Sequence, residues 1–277
     1  MCRWLAYSGT PLILEEVLYR PKHSLIDQSL HARMGVETTN GDGFGIGWYA
    51  THARTPAVFH DVGPAWSNRN LQEIAGHVRA PLFFAHVRAS TGTAVQQTNC
   101  HPFRHDRWMW MHNGAIAGFH LLRRSLLLGV DPALFSSIEG TTDSEAMFYL
   151  ALTFGLDEDP PGAVARMVGF VERVADEHGV PAPMQMTIAV ADGERTWVFR
   201  YASEGPPRSL YYSRRVDDLR ALHPDADFLK DVSDETRLVV SEPLGDLPGA
   251  WNEVPANTYG VVEPGRDVLD EFRPRRP

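Results

Sequence analysis

Between residues 142 and 174 apolar side chains recur twice at helical spacing: Met147, Leu150, Ala151 and Phe154 share one face, and Val164, Met167, Val168, Val171 and Val174 share another. Two successive one-faced helices need something flat to hide against, and shorter runs elsewhere supply it. Residues 43–49, 82–87 and 108–111 are apolar with aromatic and β-branched content, as in buried strands. Met186, Ile188 and Val190 alternate with polar neighbours before Asp192-Gly193, and Trp197, Phe199 and Tyr201 alternate after it, which predicts a hairpin with a tight turn. Shorter helical candidates at 12–19 and 24–33 follow the first apolar residues, 4–7. The elements mix without a regular βαβ rhythm, so the pattern predicts an α+β arrangement of sheet layers covered by helices. No internal repeat or low-complexity linker divides the chain, and the Pro-rich breaks at 159–161 and 205–207 are short. The expectation is a single domain over residues 1–277, with 266–277 an irregular tail.

A chain of 277 residues with 43% hydrophobic content can bury a sizeable core. Its net charge of −9, with no long basic run, argues against nucleic acid or anionic lipid as a partner. No apolar stretch approaches the roughly 20 residues that span a bilayer, and the start lacks a signal-peptide layout, so a cytoplasmic location is expected. In that setting the two cysteines, Cys2 and Cys100, are expected to be reduced rather than paired. The GxxxxGK, GxGxxG, HExxH and paired CxxC patterns are all missing. His101 and His105 have helix-like spacing, but Pro102 between them disfavours a helix, and they read as ordinary core or surface histidines. No metal and no organic cofactor is expected.

Cys2 stands apart. Initiator methionine is commonly removed before a small second residue, and that removal would leave a thiol and a free α-amine on one residue. An α-amine titrates near 8, against about 10.4 for lysine, so it can take the thiol proton near neutral pH. Attack on an amide would place negative charge on oxygen, and Asn113-Gly114, after a strand, offers a side-chain amide and an unobstructed backbone N–H; the same dipeptide also suits an ordinary turn. Arg88 ends an apolar run, where its guanidinium could grip a substrate carboxylate or pair with a buried acid. Asp143 suits a substrate ammonium, while Thr142 and Glu145 around it form a capping box.

Six fragments in order complete the picture: Met1-Cys2-Arg3, Asn40-Gly41-Asp42-Gly43-Phe44-Gly45, His86-Val87-Arg88, His101-Pro102-Phe103, His112-Asn113-Gly114 and Thr142-Asp143-Ser144. Together they resemble the class II glutamine amidotransferases, whose glutaminase domain is an N-terminal-nucleophile hydrolase. The resemblance implies a four-layer αββα sandwich. It also implies Cys2 as nucleophile with its α-amine as base, Asn113 and Gly114 as oxyanion hole, Arg88 for the substrate carboxylate and Asp143 for its amine. Ser90 and Thr91 are expected beside the same substrate. The opening at residues 21–29 is similar to a compact stand-alone subgroup that contains the ergothioneine-pathway γ-glutamyl hydrolase. Residues 88–92 lack the aromatic residue and histidine that follow the arginine in sugar-amidating members, which speaks against hexosamine synthesis. The implied substrate is glutamine, whose ammonia would pass to a partner synthetase, or a γ-glutamyl conjugate or peptide. A non-catalytic binding module with the same fold is the alternative outside the enzymes.

Overall fold

The computed structural model describes residues 2–34, 38–51, 53–90, 92–225, 230, 232–263 and 266–277. Its strands are β1 (Arg3–Ile13), β2 (Phe44–Tyr49), β3 (Ala57–Asp61), β4 (Arg79–Val87), β5 (Phe103–His105), β6 (Trp108–Ile116), β7 (Met184–Ala191), β8 (Thr196–Ala202), β9 (Tyr211–Ser213), β10 (Arg237–Val240), β11 (Trp251–Glu253), β12 (Thr258–Glu263) and β13 (Arg266–Glu271). The α-helices are α1 (Glu15–Leu18), α2 (Leu25–His31), α3 (Arg69–His77), α4 (Phe119–Leu127), α5 (Pro132–Phe135), α6 (Asp143–Thr153), α7 (Pro160–Glu177) and α8 (Val216–Leu222).

The strands form two sheets, ordered β11-β9-β10-β1-β4-β2-β3 and β13-β12-β8-β7-β6-β5, and every pairing among the described residues is antiparallel. Side-chain alternation along the central strands explains how they stack. On β1, Leu5 and Tyr7 point to a core shared with α1, α2 and α3, while Trp4 and Ala6 point to a core between the sheets. On β6, Trp108 and Trp110 face a third core with α4, α6 and α7, while Met109 and Met111 meet Trp4 and Phe84 across the interior. Helices, sheet, sheet, helices: the predicted four-layer αββα sandwich is the observed fold.

Differences from the sequence reading lie at element edges. The 12–19 segment is mostly strand end, with only Glu15–Leu18 helical, because β1 runs on to Ile13 against β4. Helix α6 is buried on nearly all sides, packed by α4, α5, α7 and β6, where its stripe predicted one face. The β7–β8 link is a four-residue turn in which Asp192 accepts from the N–H of Glu194 (2.9 Å) and of Arg195 (2.8 Å). The 266–277 segment is irregular only from Phe272 onward: Arg266–Glu271 pairs with β12, and Phe272 is itself buried.

Candidate active site

Cys2 precedes β1, whose Arg3 pairs with Val87 at the end of β4, so the thiol lies at the same sheet edge as Arg88. Its Sγ is 3.7 Å from the carbonyl of Ala89, within reach of a weak S–H donation. Burial pushes the Cys2 thiol above its ordinary value, and the charges of Arg88 and Asp143 bias it in opposite directions. A thiol held this way needs a base before it can attack.

Arg88 is 3% exposed, and its guanidinium donates to Asp42 O (3.3 Å), Ser90 Oγ (3.2 Å), Thr93 Oγ1 (2.6 Å) and Ala94 O (3.3 Å). All four are neutral acceptors. Among the described residues no carboxylate pairs with it, so the buried ion pair that was the competing expectation is not formed. Ser90 orients the guanidinium, and its own N–H donates to Asp42 Oδ2 at 2.7 Å. The hairpin of interactions closes through Arg88 N–H to Gly43 O (2.9 Å) and Asp42 N–H to Arg88 O (3.0 Å). Gly43 is required there, with φ +107° and Cys100 Sγ 2.7 Å from where a Cβ would stand. Thr91 lies outside the described residues.

Asn113 and Gly114 do not form a turn. They continue β6, paired with Thr187 and Met186 of β7. A Cβ on Gly114 would stand 1.8 Å from the carbonyl oxygen of Gln185, so only glycine fits against that neighbour. Asn113 is 5% exposed, and among the described residues its side-chain amide has no hydrogen-bond partner within the protein. Its carbonyl is held from behind by Thr187 Oγ1 at 3.3 Å, while that oxygen accepts from Trp4 Nε1 at 3.1 Å. The residue two places after the thiol is thereby tied across the interior to the strand bearing Asn113.

Asp143 opens α6. Its Oδ2 accepts from Ile116 N–H at the end of β6 (2.8 Å) and its Oδ1 from Ser144 N–H (2.7 Å), which fixes the helix start against β6. The capping box is half formed: Thr142 Oγ1 accepts from Glu145 N–H (3.2 Å), but the Glu145 carboxylate turns to the N–H groups of Glu139 (2.9 Å) and Gly140 (2.7 Å). Three strand ends and one helix N-terminus therefore bring Cys2, Arg88 and Asp143 within electrostatic range of one another.

The other chemistry-bearing residues feel the charge of Arg88 but are held by other partners. Cys100 is fully buried, donates to Asp61 O (3.5 Å), and burial pushes its thiol up to about 11; neither cysteine is in a disulfide. His101 is buried against His86, and among the described residues no cluster of His, Cys, Asp and Glu has metal-ligand geometry. No helix of the described residues is long and apolar enough to cross a membrane. Sequence reasoning missed Trp4 and Thr187, whose only signal is an indole and a hydroxyl that demand partners once buried.

A family model described as glutamine amidotransferases class-II matches residues 21–270. The probable glutamine amidotransferase DUG3 of Saccharomyces cerevisiae is 32% identical over 316 residues, covering 98% of this chain and 85% of that one. The γ-glutamyl-hercynylcysteine sulfoxide hydrolase of Mycolicibacterium smegmatis is 27% identical over 258 residues, 92% of each chain. Among solved structures, a glutamine aminotransferase class-II domain protein from Silicibacter pomeroyi superposes with a TM-score of 0.75 at 31% identity, over 99% of both chains. The glutamine phosphoribosylpyrophosphate amidotransferase of B. subtilis shares the fold at a TM-score of 0.66 and 14% identity, over 99% of this chain and 50% of that one.

Proposed function

The chain belongs to the class-II glutamine amidotransferases, and from that premise we propose that it hydrolyses the γ-amide of glutamine through a γ-glutamyl thioester on Cys2. With Met1 removed, the Cys2 α-amine takes the thiol proton, directly or through water, as Sγ attacks the γ-carbonyl carbon. The Asn113 side-chain amide and the Gly114 N–H stabilise the oxyanion. The C–N bond then breaks, the departing amine takes the proton from the α-ammonium, and water hydrolyses the thioester to glutamate and free thiol. Arg88 holds the substrate α-carboxylate and Asp143 its α-ammonium, through the lone pair that Oδ2 retains beyond the Ile116 N–H, since Oδ1 already accepts from both the N–H and the hydroxyl of Ser144. No step in this scheme calls on a metal or an organic cofactor.

One observation carries the reading: a buried guanidinium beside the thiol, ringed by neutral acceptors. An unpaired buried charge is costly, and a bidentate substrate carboxylate would neutralise it. A larger leaving amine is the second reading. It is favoured by the match to a γ-glutamyl conjugate hydrolase over 92% of both chains. Hydrolysis of such a conjugate would be complete within this chain, whereas ammonia from glutamine would pass to an acceptor on a partner protein. A free, reduced Cys2 suits a cytoplasmic setting.

The test is glutamate release from glutamine and from a series of γ-glutamyl amides of increasing size, with asparagine and glutaramate as controls. The proposal expects glutamate from the γ-glutamyl compounds and no hydrolysis of glutaramate, which lacks the α-ammonium for Asp143. Absence of glutamate from every member would overturn it.

A further inference from the structure

A heavily bonded buried charge lies outside the constellation above. Glu242, two residues beyond β10, is 2% exposed. Its carboxylate accepts from Arg3 Nε (2.8 Å), from the backbone N–H of Arg33 (2.8 Å) and of Met34 (3.0 Å), and faces His23 Nε2 at 2.5 Å. His23 is itself buried, with Nδ1 2.8 Å from Asp27 Oδ2. Gln28 braces the same point from α2, donating to the carbonyls of His23 (3.0 Å) and Glu242 (3.2 Å). Burial opposes ionisation of Glu242, but these donors more than offset it and hold the carboxyl below its ordinary value.

The connection to the site is Arg3. One edge of its guanidinium is fixed by Glu242, while Nη1 donates to the carbonyl of Cys2 at 2.9 Å. A chain-terminal residue has a single peptide plane, the one that follows it. Fixing that carbonyl sets ψ of Cys2, and with it the direction in which the α-amine leaves Cα and the frame from which Sγ projects. For an interior residue the preceding peptide would share this task; for Cys2 after Met1 removal nothing precedes it.

We propose that Glu242 and Arg3 are positioning residues for the nucleophile: the Glu242 carboxylate, braced by His23 and by the 33–34 backbone, aligns the Arg3 guanidinium that locks the Cys2 carbonyl and so orients amine and thiol for attack. The inference rests on the reading of Cys2 as nucleophile. It gives the chain beyond residue 205 a role in the chemistry, since a residue 239 positions away in sequence bonds to Arg3. A charge cluster buried this deeply is an expensive way to gain stability alone, and its best-attested use is to fix one arrangement among several.

The test compares wild type with Glu242→Gln, Glu242→Asp and Arg3→Lys, each checked for folding by circular dichroism and for Met1 removal by intact mass. Two readouts are taken: kcat and KM for glutamate release, and the maximal rate and half-saturation for Cys2 labelling by a glutamine-like diazo ketone. Glu242→Gln and Arg3→Lys are expected to lower kcat and the labelling rate about 10- to 100-fold, with KM and half-saturation changed by no more than about threefold. Glu242→Asp, which keeps the charge, is expected to fall in between. If Glu242→Gln does not fold, Arg3→Lys carries the test, because it leaves a cation facing Glu242 but removes the fork. Folded, processed variants that keep wild-type kcat and labelling rate, or that lose only thermal stability or KM, overturn the positioning role. A processed wild type that is not labelled at Cys2 overturns the function proposed above and this inference with it.

Discussion

Cys2 and Cys100 have the same side chain in opposite circumstances. Both thiols are pushed up by burial, but Cys100 is sealed against Asp61 and Gln96, whereas Cys2 opens toward Arg88, Ala89 and Asp143. Cys2→Ala is expected to abolish glutamate release with an unchanged circular dichroism spectrum. Cys100→Ala is expected to keep kcat/KM and to cost about 1 kcal/mol in urea unfolding, the scale of a small buried truncation. Because burial pushes the Cys2 thiol up, the proposed mechanism needs a neutral α-amine to accept its proton. An α-amine has an ordinary value near 7.7–8.0, and acid protonates it, so kcat/KM should fall about tenfold per pH unit below that range. A flat profile between pH 5.5 and 8 would exclude the α-amine as base. Cys2, Arg88, Asn113, Gly114 and Asp143, to which the chemistry is assigned by proposal, could be singled out from the sequence because each lies in a short motif of suggestive residue types. Arg3, Trp4, Thr187 and Glu242 were not, since their bonds join positions 183 and 239 residues apart and no local pattern encodes such a partner.

Among elements, β6 does the most to set the site. The sequence reading ended this strand at Met111 and treated Asn113-Gly114 as lying after it, because that dipeptide is a common turn signal. Pairing with β7 through Ile116 overrides the local preference, and the cost of a side chain at 114 against Gln185 explains the glycine without any turn. Strand β6 is tied to β1 through Trp4, Thr187 and Asn113, and to α6 through Ile116 and Asp143. Thr187→Val keeps the side-chain volume but leaves the buried Trp4 N–H unpaired. It is expected to cost about 1–3 kcal/mol in urea unfolding and to lower kcat, because the tie between the strands that carry the proposed nucleophile and oxyanion donors is lost. Unchanged stability and kcat would show that this bridge is incidental.

At the scale of the whole molecule, the layers were legible and the strand order was not. Alternating apolar residues say that a strand has two buried faces, but which strands become neighbours depends on pairings distant in sequence, such as β10 beside β1 and β12 beside β8. The interior also holds His86 and His101, whose ring centroids lie 4.2 Å apart, with no hydrogen-bond partner at either ring nitrogen of His101 among the described residues. Burial holds His86 down to about 3 and His101 well below its ordinary value, so both stay neutral in the fold and charge only on unfolding in mild acid. The unfolded chain then binds more protons, and stability should fall as pH drops below about 6.5, by up to about 1.4 kcal/mol per pH unit for each ring. Thermal unfolding between pH 7 and 5 measures this slope, and His101→Leu should make it shallower. The catalytic expectations presuppose a processed chain whose second residue reacts, so intact-mass and peptide-mapping mass spectrometry before and after incubation with a glutamine-like diazo ketone is the most direct measurement. The account predicts a chain lacking Met1 that gains one adduct, located on Cys2. A processed chain that gains no adduct there, or carries it on Cys100, would contradict it.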